Sequence, residues 1–293
     1  MKSDVPGFEV LAPATLTEAL AQLARVPGEF RPIAGGTDLM VMLTAGKLSH
    51  RRYVSLWGLR ELRGIEESSS HVTLGALTTY TDIGNHPTLN REFPMLCQAS
   101  RETGGVAIQN RGTLGGNIAN ASPAADSSPA LLAYAADVEL TSATGSRWVA
   151  YDSFHTGYRR TLLAADEIVS RIRLPRVFSA RVHYYFKVGP RRAQAISKIC
   201  FAGCAEVENG RARAVRIAIG GVAPIVPRCR AAEKVLEIDG VDAMAVVRAK
   251  EALAAEIAPI DDVRSTARYR QAVATNLLVD FMMRVRANVG LGS

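Results

Sequence analysis

The sequence predicts an α+β chain in two domains, and three observations carry that expectation. A length of 293 residues is enough to bury two hydrophobic cores. Up to Pro175, short runs of β-type residues are interleaved with amphipathic helical segments and separated by turn residues. Beyond Pro175 the order changes: strand-like runs come first, and three helical runs close the chain.

Thr15-Leu16-Thr17-Glu18 has the form of a capping box, and Leu16, Ala19, Leu20, Leu23 and Ala24 follow at helical spacing, which predicts a helix over 16–25. After Pro27-Gly28, Phe30 to Ile33 reads as a strand that delivers the chain into Gly35-Gly36, and Thr37 to Leu43 turns helical. Arg52 to Leu56 and Val72 to Leu74 read as strands, with a polar turn at Glu66-Glu67-Ser68-Ser69-Ser70 between them. Pro94 to Thr103 predicts a helix. Gly104 to Asp126 shows neither period and is rich in Gly, Asn and Ser; a loop of that length inside a compact domain points to binding. A short helix from Pro129 to Ala136 follows, then strands Val138 to Thr141 and Arg147 to Ala150 across a turn at Thr144-Gly145. Asp166 to Leu174 alternates apolar and polar residues as a half-buried strand does, and the domain boundary falls at Pro175 to Ser179. Val182 to Val188, Ile196 to Val207 and Val215 to Ile219 read as strands, the last two joined at Asn209-Gly210. Helices follow at Ala231 to Glu237, Asp242 to Ile257 and Ser265 to Ala287.

Composition narrows the function. Hydrophobic residues at 48% and charged residues at 22% fit a soluble globular protein. No apolar run reaches the roughly 18 residues a membrane span needs, and Met1-Lys2-Ser3-Asp4 does not open a signal peptide, so a cytoplasmic location is expected. The net charge of +7 comes from scattered basic residues with small clusters at Arg51-Arg52, Arg159-Arg160 and Arg191-Arg192. Without a basic tail or an aromatic-interleaved patch, nucleic acid is not the expected partner. Cys97, Cys200, Cys204 and Cys229 are too few and too irregular for a disulfide framework, and Cys200-x-x-x-Cys204 lacks the second pair a zinc or iron–sulfur site needs, so no metal site is expected. The five histidines are dispersed, and no nucleophile–base–orienter set can be read.

Two glycine-bearing stretches remain: Ala34-Gly35-Gly36-Thr37-Asp38-Leu39, and Thr113 to Asp126 with Gly115-Gly116-Asn117 and Ser122 inside it. Paired glycines allow positive φ and let backbone N–H groups approach an anion where a Cβ would intrude. Thr37, Thr113, Asn117 and Ser122 add short polar groups, and Asp126 adds an acceptor suited to a ribose or ribityl hydroxyl. G-x-G-x-x-G and Gly-Lys-Ser/Thr are both absent. A pyrophosphate gripped by two separate loops is therefore the better reading.

These two stretches, with Ile108-Gln109-Asn110-Arg111-Gly112 leading into the second, resemble the FAD-binding medium subunit of the molybdenum hydroxylases, the xanthine dehydrogenase and carbon monoxide dehydrogenase group. The resemblance implies an FAD-binding domain of the vanillyl-alcohol oxidase-like (PCMH-type) kind over 1–176, with parts at about 1–58 and 59–176, and a sheet-and-helices domain over 177–293. It implies noncovalent FAD with its pyrophosphate between Ala34–Leu39 and Thr113–Asn117, and Asp126 on the flavin side. It also implies that Gly157 to Leu163, with Arg159, approaches the flavin, that Val169 packs on the isoalloxazine, and that Lys198 stabilises the reduced ring. The aromatic that some members stack on adenine is missing at Thr103-Gly104-Gly105. By the same resemblance, molybdopterin resides on a large partner subunit and two [2Fe–2S] clusters on a small one. This chain would take electrons from the clusters and pass them to NAD or another acceptor, in a dimer of heterotrimers. A self-sufficient flavin oxidase or reductase of the same fold, and a non-redox nucleotide-binding module, are the alternatives.

Overall fold

The computed structural model describes residues 7–177, 181–191, 194–209 and 211–289. Part of the expected boundary at Pro175 to Ser179 lies outside the described residues, as do Arg192 and Gly210.

The chain first forms a small parallel sheet. Strands β1 (Glu9–Leu11), β2 (Arg31–Ile33) and β3 (Arg52–Ser55) lie in the order β1-β3-β2, linked by helices α1 (Leu16–Arg25) and α2 (Thr37–Thr44). The hydroxyl of Thr15 accepts from Glu18 N–H at 3.2 Å, while Glu18 accepts from the Ala14 amide at 2.8 Å, so the cap closes one residue earlier than the simple box. Ala19, Leu20 and Leu23 of α1 then pack on Val54, Leu56, Leu59 and Leu62.

A five-stranded antiparallel sheet follows, in the order β4-β5-β10-β6-β7. Its strands are β4 (Ile65–Glu67), β5 (His71–Gly75), β6 (Asp137–Ser142), β7 (Gly145–Ala150) and the central β10 (Ile168–Pro175). Glu66 and Glu67 belong to β4, so the polar turn shrinks to Ser68–Ser70. Between β5 and β6 run six helices: α3 (Tyr80–Asn85), α4 (Pro87–Glu92), α5 (Pro94–Glu102), α6 (Val106–Gln109), α7 (Leu114–Asn120) and α8 (Ser127–Ala133). The expected long loop over 104–126 thus holds α6 and α7. Helices of four and seven residues are too short to display a period, and their stability comes from packing and caps. The same holds for α3, fixed by the reciprocal Thr79–Asp82 capping box. Helix α8 begins at Ser127 rather than at Pro129, because a proline in the first turn removes only an N–H that has no intrahelical partner. After β7, α9 (Tyr151–Phe154) leads into the ribbon β8 (His155–Gly157) and β9 (Arg160–Thr161).

The third sheet is the antiparallel meander β11 (Val182–Val188), β12 (Ile199–Glu208) and β13 (Arg211–Gly220). Strand β12 starts at Ile199, past the exposed Ile196. Helices α10 (Arg230–Asp239), α11 (Ala243–Glu256) and α12 (Ala267–Val289) cover one face, where Tyr184, Phe201, Ile217, Leu278 and Phe281 form a core. The other face, with Tyr185, Cys200, Ala202, Cys204 and Ala218, joins the core of the middle sheet beside Leu131 and Tyr134. All four cysteines are buried and unpaired. Among the described residues no helix is long and apolar enough to cross a membrane.

Candidate functional site

Strand β2 runs into Gly35-Gly36 and out into α2, so the first glycine pair stands at a helix entrance. Gly36 is the N-cap with φ 76°, a conformation glycine adopts without a Cβ penalty. No side chain caps this helix, and the first bond into it runs from Met40 N–H to the Gly36 carbonyl. The amides of Thr37, Asp38 and Leu39 are left at the open end, where the helix dipole favours an anion. Gly35 has a different role. A Cβ there would sit 1.8 Å from the Arg111 carbonyl oxygen. The first loop therefore lies backbone to backbone against the segment leading into the second.

The second stretch is arranged differently from the expectation of bare amides. Thr113 is the N-cap of α7, and its hydroxyl accepts from Gly116 N–H at 3.2 Å. Leu114 N–H donates to Thr78, Gly115 N–H to Ala76 and Asn117 N–H to Thr113, all to carbonyls within 3.0 Å. Every amide from Leu114 to Asn117 is thus committed within the fold, and the open donors belong to the first loop. Close approach explains the glycines: a Cβ on Gly115 would meet that of Ala76 at 2.5 Å, and one on Gly116 would crowd the capping Thr113 hydroxyl at 2.8 Å while resting in ordinary contact, 3.6 Å, with that of Ala34. The two stretches meet at Ala34 and Gly116. Asn117 accepts from Ser127 Oγ at 2.7 Å, and Ser122 Oγ accepts from the Ala124 amide at 3.3 Å.

Beside this junction lies a cleft of about 670 Å³, lined by Gly35, Thr37, Met40, Val41, Ile108 and Arg111 among others. That is the size and mixed polarity of a nucleotide-scale site. The Arg111 guanidinium stacks 3.7 Å from the Trp57 ring centroid, with Nη2 3.5 Å from the Gly35 carbonyl oxygen. Arg159, at φ 52° between β8 and β9, reaches the same region electrostatically. Asp38 faces solvent there, yet the surrounding protein displaces enough water to push its carboxyl pKa up, and the Arg159 charge opposes that rise.

Asp126 is buried and its carboxylate is fully engaged: Lys187 Nζ donates at 2.7 Å and Ser197 Oγ at 2.5 Å. Tyr185 donates to its carbonyl at 3.1 Å, and Lys187 also donates to the Glu102 carbonyl at 2.7 Å. Burial raises the Asp126 pKa, with the Lys187 charge acting against it. Burying an ammonium is costly unless it is paired and hydrogen-bonded, as Lys187 is here. Lys187 was not singled out from the sequence. The available signal was its place two residues after Tyr185 on one strand, which puts both on the inward face. Lys198, singled out instead, holds its ammonium 5.1 Å from the Tyr269 ring centroid on α12. Val169 is buried in the core of the middle sheet, opposite Leu140 and next to an irregularity in β10.

This arrangement fits a pyrophosphate-containing dinucleotide. Three open amides at a helix entrance, a glycine that admits no Cβ, cations at Arg111 and Arg159, and a nucleotide-scale cleft lie together. Among the described residues no group of three His, Cys, Asp or Glu side chains could hold a metal.

Comparison with known proteins gives the same picture. Residues 6–177 match the family model described as the FAD binding domain in molybdopterin dehydrogenase, and residues 184–285 match that of the CO dehydrogenase flavoprotein C-terminal domain. The xanthine dehydrogenase FAD-binding subunit of Escherichia coli O157:H7 is 32% identical, over 88% of each chain. The carbon monoxide dehydrogenase medium chain of Hydrogenophaga pseudoflava is 30% identical, over 93% of this chain and 95% of the relative. The solved structure of carbon monoxide dehydrogenase from Hydrogenophaga pseudoflava, which lacks the Mo-pyranopterin moiety, superposes with a TM-score of 0.91, covering 96% of this chain and 98% of that one at 30% identity. Quinoline 2-oxidoreductase from Pseudomonas putida 86 superposes at 0.89, with 26% identity, over 98% and 99% of the two chains.

Proposed function

This chain belongs to the FAD-binding medium subunits of the molybdenum hydroxylase family, and from that premise we propose that it is the electron exit of such a complex. In this reading it takes electrons from [2Fe–2S] clusters on a small partner subunit, fed by a molybdopterin-bearing large subunit, and passes them to NAD or another acceptor. The complex would be a cytoplasmic dimer of heterotrimers. The relatives' designation as medium chains and subunits supports partners both larger and smaller.

The observation that carries the reading is the meeting of the two glycine stretches, Gly116 beside Ala34, with Gly35 pressed on the Arg111 carbonyl in the segment that leads into the second. We assign the FAD pyrophosphate to the open amides of Thr37, Asp38 and Leu39, with Ala34, Gly35 and Gly36 giving backbone access and Arg111 and Arg159 balancing charge. Thr113, Gly115, Gly116 and Asn117 form the opposing wall. Asp126, with Ser122 just before it, is held rigid by Lys187 and Ser197 at the seam between the middle and third sheets. The electrostatic role at the reduced ring stays with Lys198, as the resemblance implies, while Lys187 neutralises the buried Asp126 carboxylate. Val169 contributes apolar packing. When bound, FAD supplies a carrier able to exchange electrons with one- and two-electron partners.

The purified chain should carry noncovalent FAD, released intact by acid and identified by its flavin spectrum. A folded chain that takes up no flavin from excess FAD would refute the assignment. Co-purification with molybdenum- and iron-bearing chains tests the partners.

A further inference from the structure

We propose that Trp57 is a positioning residue for the bound diphosphate: its indole ring holds the Arg111 guanidinium beside the first glycine loop with its charge uncompensated. This deepens the FAD reading above and rests on it. Strands β2 and β3 are parallel, and the Leu56 amide donates to the Ile33 carbonyl at 2.8 Å, so the turns that follow the two strands emerge side by side at one end of the sheet. Gly35-Gly36 belongs to one of those turns and Trp57 opens the other. Ligands of sheets with parallel strands gather at that carboxyl end.

Two guanidinium groups rest on the Trp57 ring, Arg111 at 3.7 Å and Arg63 at 4.4 Å from its centroid. Arg63 also donates to the Trp57 carbonyl at 2.8 Å, which ties it to the same turn. Arg111 differs. It lines the cleft, its hydrogen bond to the Gly35 carbonyl oxygen is long at 3.5 Å, and among the described residues no carboxylate pairs with it. The ring is therefore what fixes this exposed side chain in place. Trp148 supplies the contrast. It too carries two arginines, Arg173 at 4.3 Å and Arg171 at 5.8 Å, yet Arg173 is paired with Asp137 and Arg171 with Glu139. Those charges are neutralised within the sheet, whereas that of Arg111 is left for an anion. A guanidinium can stack its face on an indole while its N–H edge stays free to donate, and phosphate oxygens accept such donors. Stacking also removes in advance the rotamer freedom that a long exposed side chain would lose on binding.

The test is a set of full-chain variants, stripped of flavin and titrated with FAD by flavin fluorescence: Trp57→Leu, Trp57→Phe, Arg111→Gln, the double variant Trp57→Leu/Arg111→Gln, and Trp148→Leu as control. Trp57→Leu should raise Kd about fivefold, the worth of a cation–π contact at an exposed site. Trp57→Phe should recover most of that affinity, since an aromatic face remains. The double variant should bind FAD no more weakly than Arg111→Gln alone, because the ring acts through the guanidinium, and Trp148→Leu should leave Kd unchanged. An unchanged Kd in Trp57→Leu overturns the proposal. So does a further loss in the double variant, no recovery in Trp57→Phe, or an equal loss in Trp148→Leu, each of which would make the indole a support of the fold or a direct contact of the cofactor. If the unsubstituted chain itself binds no FAD, the functional reading falls together with this one; FAD uptake at equal affinity with and without Trp57 removes only this one.

Discussion

A Cβ on Gly35 would stand 1.8 Å from the Arg111 oxygen and 2.7 Å from its carbonyl carbon, and neither atom is the free end of a side chain. Relief would require the backbone of the first loop to separate from that of the second, at a cost of about 1–3 kcal/mol by analogy with overpacked cores. Gly35→Ala should therefore weaken FAD binding by about tenfold or more, measured by fluorescence titration. Gly58→Ala is the control, since nothing lies within 4 Å of its Cβ position and it should leave affinity unchanged. Equal affinities for the two variants would show that the contact between loops does not shape the site. The glycine pairs were legible in the sequence because close backbone approach leaves glycine as its trace. Lys187 was not, because a lysine in an alternating strand looks the same whether its ammonium reaches solvent or a buried carboxylate 61 positions away.

Among the elements, α4 is tied to the end of β10 through Glu92 and Arg176, the residue that follows the strand. The carboxylate is nearly buried and accepts two bonds from the guanidinium, at 2.8 and 2.7 Å, while Arg176 also donates to the Ser68 carbonyl. The hydrogen bonds from Arg176 hold the Glu92 pKa below its ordinary value of 4.5. A depressed folded-state pKa contributes stability that is present above the unfolded value and lost as pH falls through the folded one. The melting temperature should therefore drop as pH falls below 4.5, and Glu92→Gln should lack part of that drop. The two curves, separate at neutral pH, should converge once pH has fallen through the lowered folded-state value; parallel curves would show that the pair carries no pH-linked stability. Elements were legible where a period had room to repeat, as in α1, α11 and α12, or where a turn separated two alternating runs, as in β6 and β7. Helices α3, α4, α6 and α7 were not, since caps and tertiary packing hold segments of four to seven residues, whereas the longer α5 was.

At the scale of the whole molecule, the family models divide the chain between 177 and 184, yet one core crosses that line. Helices α5 and α8 rest on the face of β11 to β13 that carries Tyr185, Cys200, Ala202, Cys204 and Ala218. Lys187 and Ser197 close the same seam through Asp126. Cutting after residue 177 would expose Leu131, Tyr134 and their neighbours and leave the Asp126 carboxylate without its cation, and an apolar face of that kind promotes association. A fragment of residues 1–177 should bind a hydrophobic dye, unfold with a shallower denaturant slope per residue than the full chain, and retain FAD far more weakly although both glycine stretches are present. Adding residues 178–293 as a separate chain should restore FAD retention if the seam alone is responsible. A monomeric fragment with full FAD affinity and cooperative unfolding would instead show that the first 177 residues form their site unaided, with the third sheet serving the assembly rather than the cofactor.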